Sequence, residues 1–188
     1  MNDEDDRQRR SWLVLLTRMP AEPARHRMAL WRELRRSGAL LLGPSAWAIP
    51  DVPVATKLIE QVGQLVEPTG GTLLVLSAAG YSPADAERLD QLYSEVRGEE
   101  WTEFLADCGK YLAELDKEEA AGKYTLAELE EEEQSLDRLR RWYRELRSRD
   151  LLGAAAVTAA TTQLKICEEK FEQYAEHVYA ALNGTTGR

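Results

Sequence analysis

The sequence predicts an α+β protein, a four-stranded sheet layered with two helices and followed by a helical bundle. Three observations lead there. In the first 80 residues, short apolar runs alternate with helical stripes in the order strand, helix, strand, strand, helix, strand. From residue 81 onward the apolar residues recur only at helical spacing. Glycine and proline fall at the joins between these segments.

Residues 1–10 are polar, charged and aperiodic, and are expected to form a disordered tail. Trp12-Leu13-Val14-Leu15-Leu16 is a short apolar run that reads as a buried strand. Met19-Pro20 breaks it, and Pro23 suits the first turn of a helix over residues 24–37. Leu30, Trp31 and Leu34 fall on one side of that helix, and Gly38 is placed to end it as a left-handed cap. Residues 39–42 and 46–49 are two strands joined by Gly43-Pro44-Ser45, a hairpin by spacing and turn chemistry. Asp51 is a candidate helix cap, with Pro53 in the first turn and Val54, Leu58, Val62 and Leu65 as the stripe. Thr69-Gly70-Gly71 stops this helix before a fourth strand at residues 72–76. Such an order is the split βαβ, ferredoxin-like pattern, an antiparallel sheet with two helices on one face.

The remainder is helical. Ser82-Pro83-Ala84-Asp85 is a helix start followed by Leu89, Leu92, Tyr93 and Val96, with Gly98 a candidate interruption. Trp101, Leu105, Cys108, Leu112 and Leu115 keep heptad spacing until Gly122. Thr125 and Glu128 form a capping box ahead of Leu129, Leu136, Leu139, Tyr143 and Leu146. Leu152-Gly153 breaks the chain, and the last helix carries the cleanest stripe, from Val157 through Leu164, Cys167, Phe171 and Tyr174 to Ala181. Residues 99–183 therefore predict an antiparallel helical hairpin or three-helix bundle. The expected organisation is a tail over 1–10, a ferredoxin-like domain over 11–80 and a helical bundle over 81–184.

Composition narrows the chemistry. At 188 residues the chain can bury a core without metal or disulfide staples. No apolar run approaches the ~20 residues that cross a bilayer, and the first ten residues do not resemble a signal peptide. The cytoplasm is the expected compartment, with no membrane partner. Cys108 and Cys167 are read as reduced packing residues. Neither His26 nor His177 has a glutamate three residues before it, since Pro23 and Tyr174 stand there. Two isolated cysteines lack zinc-ligand spacing. Gly70-Gly71 precedes a strand rather than following one, unlike a phosphate-binding loop, and no serine nucleophile elbow is present. The chain is expected to have no catalytic residue, metal or cofactor and not to be an enzyme. Glu130-Glu131-Glu132-Glu133 reads as a solvated first helical turn.

Charge supplies the positive clue. Residues 7–50 hold nine arginines (7, 9, 10, 18, 25, 27, 32, 35, 36) against Glu22 and Glu33, a net of +7 in a chain whose total is −9. Such asymmetry points to an anionic partner for the front third. Arg25, Arg32 and Arg36 fall within about 40° on a helical wheel, turned away from the Leu30/Trp31/Leu34 side. Arg27 and Arg35 flank the buried stripe. Guanidinium groups in a row suit phosphates or an oxyanion through forked hydrogen bonds. The competing use for these arginines is pairing with the acidic helical half. Trp31 and Trp47 are expected in the core.

Trp12–Leu16 with Pro20, Arg27-Met28-Ala29-Leu30-Trp31-Arg32-Glu33-Leu34, Gly38-Ala39 and Ser45-Ala46-Trp47-Ala48-Ile49-Pro50 together resemble the amino-terminal domain of ChrB, the chromate-resistance regulator. The likeness extends through Tyr93 to Trp101, Leu139-Arg140-Arg141-Trp142-Tyr143 and Arg149-Asp150-Leu151-Leu152-Gly153, and so spans most of residues 11–183. The front part also resembles the Cas2-like domain of phenylacetate-type (PaaX-like) repressors and Cas2 itself. The resemblance implies a cytoplasmic repressor of a chromate-efflux operon that binds promoter DNA and releases it when chromate arrives. ChrB proteins generally continue into a carboxy-terminal domain, whereas this chain ends at Arg188, so a truncated paralogue is a second expectation. Cas2 nucleases carry an acid just after the first strand; Thr17, Arg18 and Met19 stand here, which argues against metal-dependent cleavage.

The expected function is thus chromate-responsive regulation of ChrB type, with Arg25, Arg32 and Arg36 on DNA phosphates or an oxyanion, and Arg18 and Arg27 in support. The alternative is a non-catalytic protein- or anion-binding module that does not bind DNA. A homodimer is expected, joined through a sheet edge or through the last helix.

Overall fold

The computed structural model describes residues 10–185; the tail expected over residues 1–10 lies, apart from Arg10, outside them. Strand β1 is Trp12–Arg18, helix α1 Ala24–Arg36, β2 Leu40–Gly43, β3 Ala46–Pro50, helix α2 Pro53–Val66 and β4 Thr72–Ala78. Three long helices follow: α3 Pro83–Ala120, α4 Leu126–Arg149 and α5 Ala156–Thr185. The chain divides into two compact units. The first comprises the described residues up to Arg97 together with Ser148–Gly153, and the second holds Gly98–Arg147 and the chain from Ala154. The front of α3, which the sequence places with the helical segment, therefore belongs to the sheet unit.

In the sheet unit the strand order is β2-β3-β1-β4, and every neighbouring pair is antiparallel. Side chains alternate across the pleat, so β1 sends its residues to two different cores. Leu15 packs with Leu30 and Leu34 of α1, Leu58 and Val62 of α2, and Trp47 and Ile49 of β3. Trp12 points the other way, into a cluster with Leu40, Ala48 and Tyr93. Tyr93 ties that cluster down, since its hydroxyl donates to the Arg149 carbonyl at 2.8 Å and accepts from the Leu151 amide at 3.0 Å. Its ring meets Trp12 edge-on at 5.6 Å. Residues 148–153 are held to the sheet unit by these bonds.

Helix α1 ends as its sequence predicts. Gly38 has φ 81°, the Gly38 amide donates to the Arg35 carbonyl at 3.2 Å, and the Ala39 amide donates to the Leu34 carbonyl at 3.0 Å, the paired bonds of a Schellman cap. The start of α2 differs from expectation. Val52 is its N-cap, with no side-chain cap bond, and the Asp51 amide donates to the Ser11 carbonyl at 2.9 Å beside β1. The α2 stripe is Ala55, Leu58, Val62 and Val66: Leu58 and Val62 are buried as predicted, while Val54 is exposed and Leu65 half-buried.

Helix α3 runs unbroken through Gly98, where an interruption was expected. A mid-helix glycine costs only about 1 kcal/mol against alanine. Tyr93 on one side of it and Trp101 and Phe104 on the other are fully buried, and such anchoring outweighs the local cost. The Ser82/Asp85 box begins α3 with both reciprocal bonds, and the Glu128 amide donates to Thr125 Oγ1 at 3.3 Å ahead of α4.

The second unit has one core drawn from three helices: Trp101, Phe104 and Leu115 of α3, Leu136 and Leu139 of α4, and Ala160, Cys167, Tyr174 and Val178 of α5. The α5 stripe is thus consumed within its own unit. Cys108 and Cys167 are both free and buried, and the Cys167 thiol donates to the Cys108 carbonyl at 3.7 Å. Glu130, Glu131 and Glu133 are exposed, but Glu132 is not. It lies 5% exposed between Leu129 and Leu136 on the buried stripe of α4, which corrects the reading of the four glutamates as a solvated turn.

Candidate anion-binding site

Helix α1 lays Leu30 and Leu34 into the sheet core, so its opposite face is left to solvent. Arg25, Arg32 and Arg36 occupy that face and are all exposed. From Arg25 to Arg36 the ridge is about 16 Å long at 1.5 Å rise per residue. Among the described residues, no hydrogen bond or ion pair engages the Arg25 or Arg32 guanidinium. Arg36 pairs with Glu33 one turn earlier on the same helix. The Arg36 side chain is exposed and the Glu33 side chain largely covered, so an incoming anion would meet Arg36 from its open side.

The other two candidates lie elsewhere. Arg27 is turned from the ridge, and its guanidinium donates to the Pro20 carbonyl at 3.1 Å, bracing the loop between β1 and α1. Arg18 ends β1 opposite Thr72 of β4. By strand alternation it shares a face with Trp12, the face turned away from α1. There it borders a shallow recess of about 350 Å³ lined also by Leu16, Pro44, Ser45, Thr72 and Leu74. Arg25, Arg32 and Arg36 are therefore brought together, and Arg18 and Arg27 are not.

Two exposed residues stand on the flank of α1 between the ridge and the buried stripe. Trp31 was expected in the core, yet it is 41% exposed, with the Arg35 guanidinium 5.0 Å from its ring centre. Trp47, expected there as well, is buried. Trp31 follows Leu30 directly, so the next 100° of helical turn already carries it off the buried stripe. A wheel weighted on Leu30 and Leu34 alone shows this. Such a guanidinium on an indole face forms a cation–π contact, and it places a flat aromatic surface beside the cations. Helix α1 has no acid in its first turn, so Glu33 is its one internal counter-charge.

The family described as Protein ChrB, N-terminal, matches residues 27–185, most of the chain. The chain belongs to the ChrB N-terminal family. Membership implies a chromate-resistance-associated protein of regulator type. No curated protein and no solved structure matches the chain. The ChrB match includes Arg27, Arg32 and Arg36 and begins after Arg18 and Arg25. It takes in the Arg149–Gly153 segment whose backbone Tyr93 holds, and the Trp101 to Val178 core of the helical unit. Among the described residues of this ChrB-type chain, no helix is long and apolar enough to cross a membrane, and no cluster of three or more metal-ligating side chains could hold an ion.

Proposed function

We propose that this protein is a chromate-responsive regulator that binds promoter DNA through the exposed arginine ridge of α1. The observation that carries the proposal is the accessibility of Arg25 and Arg32, free of carboxylate partners among the described residues. An extended polyanion suits the ridge better than one small oxyanion does. A tetrahedral dianion is contacted by groups that converge, whereas Arg25 and Arg36 are about 16 Å apart along the helix axis. Duplex DNA offers a charge every ~1.7 Å and can engage the whole row. Phosphate contacts position the protein without reading sequence, and Trp31 with Arg35 is the neighbouring surface available to bases or sugars. The element order and the strand order β4-β1-β3-β2 support a ferredoxin-like, Cas2-like assignment for the sheet unit. Binding without catalysis, in the cytoplasm, completes the proposal.

Electrophoretic mobility shift with the promoter of a chromate-efflux operon tests it. Retention of the DNA, with release by chromate at concentrations where sulfate has no effect, is the expected result. Failure to retain the DNA at low salt contradicts DNA binding. Retention that chromate leaves unchanged contradicts only the response. One observation favours a second use of the same helix: Arg32 and Arg36 are a single turn apart, about 6 Å along the axis, close enough to grip one oxyanion between them. Calorimetric uptake of chromate without any DNA shift is the signature of that module.

A further inference from the structure

Four of the large apolar side chains exposed on the sheet unit lie on or beside β4, and two others, Leu41 and Leu42, lie on the opposite edge strand β2. Leu74 is 54% exposed and Leu76 44%, Leu16 on the adjoining strand is 37% exposed, and Tyr81 just beyond β4 is fully exposed. Register pairs Leu16 with Leu74 and Val14 with Leu76, so these side chains share one face of the sheet. Strand β4 is also an edge. It bonds to β1 on one side, and among the described residues no backbone hydrogen bond reaches it from anywhere else. Free edges are normally blunted by charge, proline, a bulge or shortness. Here β4 is seven residues of Thr-Leu-Leu-Val-Leu-Ser-Ala, with no charge, no proline and an unbroken register. The opposite edge shows the contrast: β2 has four residues and a register shift between Leu41 and Gly43.

We infer that β4 is the homodimer interface, pairing antiparallel with β4 of a second copy about a two-fold axis. A strand is its own antiparallel complement, so one patch supplies both sides of an isologous contact. Charge permits this occupant. Two copies of a chain of net charge −9 repel wherever their acidic surfaces meet. The uncharged β4 is a strip on which they approach without opposing like charges. Pairing centred on Val75 sets Leu74 of each copy opposite Leu76 of the other and Thr72 opposite Ala78, extending the sheet to eight strands. Four leucines then cover one another on the face that is now exposed. The stripe that the sequence offers for a second route through α5, Ala160, Cys167, Tyr174 and Val178, is already buried in its own unit. The inference stands apart from the DNA-binding proposal, since β4 carries none of the ridge residues.

Sedimentation equilibrium of the full chain, beside the Leu74→Lys/Leu76→Lys variant, tests it. Both side chains are exposed, so the variant should keep the circular dichroism spectrum and melting behaviour of a folded protomer. The wild type is expected to be a dimer at micromolar concentration, and the variant to need about 100-fold higher concentration or to remain monomeric. A wild type that stays monomeric at 100-fold above that range overturns the inference, and so does a dimer that the two lysines leave intact. Should the double variant unfold, Thr72→Lys gives the same reading from the strand end, again with loss of the dimer expected and its survival contrary.

Discussion

At the scale of single residues, Glu132 shows what the helical unit tolerates. Burial raises its carboxyl from the ordinary 4.5 to about 7, helped by Glu114, Glu131, Glu118 and Glu128 nearby. A folded-state pKa above the unfolded one means that the native protein holds this proton more tightly. The resulting stabilisation is complete below pH 4.5 and is lost as pH rises through about 7. Glu132→Gln keeps the shape of the protonated acid and removes the charge. It should match the wild type in melting temperature at pH 5 and exceed it at pH 8 by several degrees, on the order of 1–3 kcal/mol. Equal melting curves at both pH values would show that the side chain reaches water. Its burial was hidden in the sequence because four consecutive glutamates look alike, and only the phase set by Leu129 and Leu136 separates the second-last from its neighbours. Trp31 failed the same way in reverse: a large aromatic next to Leu30 reads as core, yet 100° of turn puts it outside with Arg35.

Elements were far more legible. Each strand lies within about two residues of its expectation, since short apolar runs between glycine and proline have few alternatives. Capping also read through: Gly38, Ser82/Asp85 and Thr125/Glu128 all act where the sequence puts them. Gly98 misled because propensity is a weak signal beside burial of Tyr93, Trp101 and Phe104. Gly38 carries a double constraint. Its φ of 81° disfavours any side chain, and a Cβ there would run into the Arg149 carbonyl. Gly38→Ala should therefore destabilise the protein by about 2 kcal/mol or more, beyond the ~1 kcal/mol of backbone strain alone. Chemical denaturation measures this, and a loss below 1 kcal/mol would mean that Arg149 gives way freely. The close approach to Arg149 was not legible, because it joins residues more than a hundred positions apart.

For the whole molecule, charge is partitioned: the arginine ridge stands on the sheet unit, and the acidic residues concentrate later in the chain. The helical acids have counter-charges of their own, with Lys170 on Asp116 and Glu119, Lys123 on Glu118, and Arg140 on Asp137 and Glu168. The helical unit thus meets part of its electrostatic needs locally, while Arg25 and Arg32 are left with none of the described carboxylates. That the ridge exists was legible from spacing at 25, 32 and 36; that Arg18 faces away from it was not, because strand alternation must first be tied to a core on each side of the sheet. The most direct measurement is the salt dependence of promoter binding by fluorescence anisotropy, for the wild type and for Arg25→Gln/Arg32→Gln/Arg36→Gln. The wild type should give a log–log slope of about −3 to −4, and the triple variant should bind weakly with the slope reduced by about 2.7. A variant whose affinity and slope equal those of the wild type would place the DNA on another surface.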